Sequence, residues 1–289
     1  MLDPRPIIDI TDPADPRLID YFAVKDRQLL PEFSPGYDNP GQTLAPFGKF
    51  MAEGDVVMDC LVSSIYPPLS ILGTASRLAA IAGHLAAIPP GVPIYRVPKS
   101  MLEPIVGFSL HRGLLAIGAR TAPADPAALL KLITPGRPLV VLEHLSNHDN
   151  VGGCFRCAAA LGAGAVMLTP GCADPLYRKA LRVSAGNALK VPFALAPVWP
   201  EFLGTLHGAG ITTVALTPDP SAIDLADFAQ SSGAGAGRLA LMLGTEGPGL
   251  EASTMQQASV RVRIGIASEV DSLNVHVACA IALHRLARV

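Results

Sequence analysis

Apolar residues along this chain come in two rhythms. Short runs such as PLVVLEHL, AVMLTP, VPFALAP, ITTVALTP, RLALMLG and VRVRIGI are continuous and β-rich, and a glycine-containing or polar turn follows each one. Between them lie stretches with helical spacing, so the second half reads as strands alternating with helices. Continuous apolar strands separated by helices predict a mostly parallel sheet covered on both faces. From residue 50 to 120 the signals also alternate, through DVVMDCLVSSI, SILGTASRLAAIAGHLAAI, PIYRVPKSMLEPIVG and GLLAIGAR. This predicts an earlier α/β unit. Residues 1–45 are rich in Pro and Asp, with one helical candidate, DPRLIDYFAVKDRQLL, where Asp15 supplies a cap and Pro16 a first-turn residue.

Residues 121–137 mix Pro, Ala and Gly around a short helix and form the candidate linker. The expected organisation is a first domain over 1–120, that linker, and a second domain over 138–289.

Composition narrows the class. The 289 residues are 50% hydrophobic, yet Gly, Pro or charge interrupts every apolar segment before the ~18 positions a membrane span needs. The first residues carry acids and prolines where a signal peptide carries a basic end and an apolar run, so a cytoplasmic protein is expected. Five scattered cysteines argue against a disulfide framework. Lys and Arg number 22 against 24 acids, which removes any global basic signature, but Arg156, Arg178, Lys179, Arg182 and Lys190 fall in one acid-poor segment.

In a parallel α/β sheet, ligands bind beyond the carboxyl ends of the strands, so the loops there matter most. After PLVVLEHL, Asn150 is a candidate helix cap, Gly152 and Gly153 permit close approach, and Arg156 lies near the positive end of the helix. That placement points to an anionic partner, with a salt bridge to Glu143 or Glu246 as the plainer alternative. After RLALMLG, Glu246 sits in the turn TEGPGL. After VRVRIGI comes EVDSLNVHVACA, where Asp271 or Ser272 reads as an N-cap and Asn274 falls inside the first turn, a poor helix position. A polar residue kept there suggests work outside the helix.

Three other features carry less. Cys154 and Cys157 form C-x-x-C inside an alanine-rich helix without a second pair or His ligands. The GAGAG at residues 233–237 precedes a strand, the wrong context for a dinucleotide loop. His276 and His284, two turns apart on the last helix, read as structural or interfacial.

Together, N-x-G-x-x-x-R at 150–156, L-G-x-E-G-x-G at 243–249 and S-L-N-V-x-V-A at 272–278 form an ordered trio, each behind a strand. The trio resembles the SpoU/TrmH family of the SPOUT methyltransferases. That resemblance covers about 138–289 and implies S-adenosylmethionine-dependent methylation of a ribose 2'-hydroxyl in ribosomal or transfer RNA. It also implies a Rossmann-like domain with a C-terminal trefoil knot and a homodimer; no metal is expected, because no His/Cys/carboxylate cluster with ligand spacing is present.

By the same resemblance, Asn150, Arg156, Glu246, Ser272 and Asn274 are the catalytic set. Thr217, Leu243, Gly244, Gly249, Ile264, Ile266, Leu273 and Ala278 hold the cofactor, by backbone groups and apolar walls rather than a phosphate cradle. A looser likeness of GKFMAEGDVVMDCLVSS and of residues 107–119 to a ribosomal-protein fold assigns the first domain to RNA recognition. Cys154 and Phe155 are bulkier than the family pattern, and the net charge of -2 is unusual for an RNA enzyme. A catalytically silent RNA-binding protein is the alternative. A dinucleotide-dependent oxidoreductase is a third reading, which the missing glycine fingerprint disfavours.

Overall fold

The structure, a computed structural model, describes residues 7–30, 45–107, 113–231 and 237–288. Residues 108–112 of the looser RNA-binding likeness and 233–236 of the GAGAG stretch lie outside the described residues. The chain divides into two compact units: Met1–Ala122 with Leu176–Lys190, and Pro123–Pro175 with Val191–Val289.

The first unit carries a five-stranded sheet in the order β1-β4-β3-β5-β2, built from Ile7–Asp9 (β1), Lys49–Glu53 (β2), Pro68–Gly73 (β3), Ile94–Arg96 (β4) and Leu114–Ala119 (β5). β1, β4 and β3 run parallel, while β5 is antiparallel to both β3 and β2. DVVMDCLV forms the helix Asp55–Val62. The single helix expected near the start is instead two 3-10 turns, Pro16–Tyr21 and Asp26–Leu29, although Asp15 does cap the first and Pro16 does open it. Leu18, Tyr21 and Leu29 from these turns are buried in the core with Leu102, Ile105 and Leu115.

The second unit carries seven strands, all parallel, in the order β10-β12-β9-β11-β6-β7-β8. They are Leu139–Leu142 (β6), Ala165–Leu168 (β7), Phe193–Leu195 (β8), Ile211–Leu216 (β9), Ile223–Asp224 (β10), Arg238–Leu243 (β11) and Val260–Arg263 (β12). Every apolar run read as a strand in this half is one. β6 and β7 are buried at all four positions, as a sheet covered on both faces requires. β8 is short and leaves Leu195 59% exposed at the sheet edge. Among the described residues, no helix is long and apolar enough to cross a membrane.

The bulky pair in the helix His148–Ala160 fits this core. Cys154 and Phe155 are fully buried, and Phe155 meets Phe193 edge-on with ring centroids 5.6 Å apart.

Candidate active site

Three loops leave the carboxyl ends of β6, β11 and β12 and converge. The first enters the helix His148–Ala160, whose N-cap is Asn147, accepting from the Asp149 N–H at 2.8 Å. Asn150 therefore does not cap this helix. The chain turns helical at His148, two residues before it, which leaves Asn150 buried within the first turn and facing another loop.

The second loop, 244–250, folds back on itself. Thr245 and Gly249 form an isolated bridge, and the Gly249 N–H donates to the Thr245 carbonyl at 3.1 Å. Gly249 takes a φ of +75°, a left-handed conformation that side chains disfavour. A Cβ on Gly244 would lie 2.1 Å from the Gly249 carbonyl carbon, so this position admits only hydrogen. This closure leaves Glu246 exposed at the loop tip.

The third loop runs into the final helix, Val275–Leu286. Its N-cap is Asn274, not Asp271 or Ser272, and Asn274 Oδ1 accepts from the His276 N–H at 3.0 Å. The chain stays non-helical until Val275 buries its side chain, so Asn274 stands one place outside the first turn. The amide works in both directions. While Oδ1 caps the helix, Nδ2 donates to Asn150 Oδ1 at 3.1 Å and to Glu246 Oε1 at 2.9 Å. One side chain thus ties all three loops together.

Arg156 lies on the same helix as Asn150 and is exposed. It forms no ion pair or hydrogen bond among the described residues. The expected salt bridge to Glu143 or Glu246 does not form, and both carboxylates accept hydrogen bonds from other groups. Glu143 Oε1 accepts from Trp199 Nε1 at 3.0 Å and Thr254 Oγ1 at 2.7 Å, while Glu246 accepts from Asn274. Burial pushes the Glu143 carboxyl above its ordinary range, and Oε2 has no partner there. Sequence alone gave no sign of this cluster, since its members lie 55 or more residues apart.

Beside the amide junction is an open cavity, with about 720 Å³ of space counting the solvent at its mouth. Its walls include Thr217, Leu243, Gly244, Gly249, Ile264, Ile266, Leu273 and Ala278, the eight residues expected to hold a cofactor, together with Glu246 and Ser272. Asn150, Arg156 and Asn274 are outside that lining. Leu216, Pro218 and Val275 also line it and were missed, although each adjoins a residue or loop already singled out.

The two-cysteine motif sits behind this face. A hydrogen bond with Cys279 and burial hold the Cys154 thiol well above its usual value, and burial pushes Cys157 to about 11. Both are inert thiols at neutral pH. His276 packs against Gly153 so tightly that a Cβ there would come 2.6 Å from its ring, while His284 is exposed.

A parallel α/β sheet with a glycine-built cavity and a polar junction at its strand ends has the architecture of a ligand site. Comparison with known proteins makes this specific. The SpoU rRNA Methylase family matches residues 137–284. An uncharacterized tRNA/rRNA methyltransferase of Mycobacterium bovis is 39% identical over 282 residues, spanning 97% of this chain and 91% of that one. The chain belongs to the SpoU rRNA methylase family, a family of RNA methyltransferases.

Two solved structures share the fold. The AdoMet-bound rRNA methyltransferase of Sinorhizobium meliloti superimposes with a TM-score of 0.73 at 22% identity, covering 97% of each chain. An RNA 2'-O ribose methyltransferase gives 0.72 at 23%, covering 96% of this chain and 98% of that one.

Proposed function

We propose that this protein transfers a methyl group from S-adenosylmethionine to a ribose 2'-hydroxyl of ribosomal or transfer RNA. The observation that carries the reading is the junction at Asn274, which couples the cofactor-cavity loops to the helix that bears Arg156. The cavity suits an adenosine without phosphates, because its walls are loop backbone and apolar side chains and Gly244 lets that backbone approach closely. Relatives whose names include AdoMet and 2'-O ribose methylation support both halves of the reading.

Bound there, the cofactor supplies an electrophilic methyl group. The protein's own residues do the rest. Leu243, Gly244 and Leu273 hold the adenosine end, and Asn274 fixes the Glu246 carboxylate at the cavity edge. Arg156 is permanently cationic, so its role is to orient the ribose or its phosphate and to stabilise the oxyanion that develops as the hydroxyl loses its proton. In-line placement of the ribose oxygen supplies much of the remaining acceleration.

Three further elements belong to this proposal. The strand order, in which the chain goes from β9 to the edge strand β10, crosses to β11 on the other side of β9 and returns to β12 between β10 and β9, supports a trefoil knot in the second unit. Val277 and Ile281, 40% and 36% exposed one turn apart on the final helix, support a homodimer. Exposed Lys179, Arg182 and Lys190 support RNA recognition by the first unit, working in the cytoplasm.

The test is calorimetric titration of the whole protein with S-adenosylmethionine, followed by mapping of 2'-O-methyl positions in ribosomal and transfer RNA with and without the gene. Binding, and one position lost without the gene, are expected. No binding, or an unchanged methylation map, would overturn the proposal.

A further inference from the structure

The first unit has a cavity of its own, at the start of β3 and the loop that precedes β4, with about 780 Å³ of empty space. Asp20 and Lys49 stand in its wall, paired at 2.7 Å with side chains only 19% and 15% exposed. Drawing two charges this far out of water carries a desolvation cost that their attraction only partly offsets, so stability alone explains the pair poorly. Around it are the Ser70 hydroxyl, hydrogen-bonded to the Tyr21 hydroxyl at 2.7 Å, the buried ring of Tyr95, and the rings of Pro90 and Pro93. A carboxylate beside an ammonium, between apolar and aromatic surfaces, matches the edge of one nucleobase.

Guanine presents two adjacent N–H donors, at N1 and N2, next to the O6 acceptor. A carboxylate accepts from both donors while an ammonium donates to O6. Adenine and cytosine place a ring acceptor where guanine has N1–H, and uracil sets one donor between two acceptors. Only guanine satisfies the Asp20 and Lys49 pair without leaving a charge opposed.

We propose that this cavity receives an unpaired guanine of the RNA substrate, read by Asp20 at N1 and N2 and by Lys49 at O6. The inference rests on the RNA reading above and gives the first unit a sequence preference. It also explains how a chain of net charge -2 selects RNA, since base-edge contacts need no broad basic surface.

Saturation-transfer NMR on the full chain, with the monophosphates of guanosine, inosine, adenosine, cytidine and uridine, tests this. Guanosine monophosphate should bind best, and inosine monophosphate, which lacks the N2 amino group, more weakly. Asp20→Asn offers one acceptor where two are needed and should reduce guanosine monophosphate binding about ten-fold or more, leaving the others unchanged. If that variant does not fold, Lys49→Gln keeps a donor for O6 and should preserve the guanine preference at lower affinity.

Equal binding of all nucleotides, no binding, or a uniform loss in Asp20→Asn would overturn the proposal. A short adenosine-rich oligonucleotide with one guanosine should bind more tightly than the free nucleotide. The reverse order would make a free guanine nucleotide the ligand and refute the RNA source. Methyl transfer measured on the same preparation separates the two readings. Transfer without guanine preference removes the cavity's role, whereas guanine preference without transfer removes the methyltransferase reading and leaves the cavity.

Discussion

The two sheets treat their charged groups differently. Outside its cavity, the first unit matches acid to base: the buried Glu53 with Arg178 and Arg182, and Asp9 with Arg96. At the strand ends of the second unit, Glu246 accepts from a neutral amide, and among the described residues neither Glu246 nor the exposed Arg156 forms an ion pair. Pairing stabilises or positions; a charge left open at a convergence of loops is available to a ligand. On the proposed function, the contrast favours the second unit's loops for methyl transfer and predicts that Glu246 and Arg156 contribute little to folding.

Substitutions can break that contrast, beginning with the largest effect. Gly244→Ala sets a methyl against loop backbone that cannot give way as a side chain would, so S-adenosylmethionine binding should fall below calorimetric detection while the sheet stays folded. Arg156→Ala should slow single-turnover methyl transfer at least about 10-fold to 150-fold, the value of a hydrogen bond to a charged group, with cofactor affinity and melting temperature unchanged. Arg156→Lys should rescue little, because an ammonium lacks the planar fork.

Asn274→Asp separates the two duties of that residue. It keeps the acceptor for the His276 N–H but loses the Nδ2 donor and sets a second carboxylate against Glu246. Stability should change by less than about 1 kcal/mol, the usual worth of a cap, while transfer slows about 10-fold. Asn274→Ala should lose both, as paired melting and rate measurements would reveal.

The first unit should behave in the opposite way. Glu53→Gln removes a buried carboxylate from two arginines at 3.5 and 3.8 Å, one of them 57% exposed and hence screened. A loss of about 1 to 2 kcal/mol in urea unfolding is expected, with cofactor affinity unaffected.

Glu143 gives the smallest effect, and its sign is fixed. A carboxyl raised by burial binds its proton more tightly folded than unfolded. Its contribution is complete below the ordinary value of 4.5 and declines as pH rises through the folded value. The stability difference between wild type and Glu143→Gln should therefore shrink from acid to neutral pH, by at most about 1.4 kcal/mol for each unit that the folded value is raised.

Much of the second unit was legible because its strands are apolar on both faces and its glycines mark loop closures. The three motif loops come together for that reason, whereas the eight expected cavity residues came from the family resemblance and line one cavity. Helix starts were harder. Asn147 and Asn274 cap where Asn150 and Asp271 or Ser272 had been expected, because the position of a cap depends on where the preceding loop releases the chain.

Long-range pairing hid two other features. Ile7–Asp9 is three residues in a Pro- and Asp-rich stretch and becomes a strand only beside β4. Leu176–Lys190 reads as part of the second half but belongs with the first unit, with Leu176 and Leu181 buried. A fragment beginning at residue 138 would strip this segment of its partners.

The site of methyl attachment tests the central claim most directly. RNA methylated by the pure protein with labelled S-adenosylmethionine is hydrolysed in alkali, which cleaves every linkage whose 2'-hydroxyl is free. The account predicts that the label survives in alkali-resistant dinucleotides and accumulates there at least about 10-fold more slowly with Arg156→Ala. Label released in mononucleotides would place the methyl on a base and contradict it.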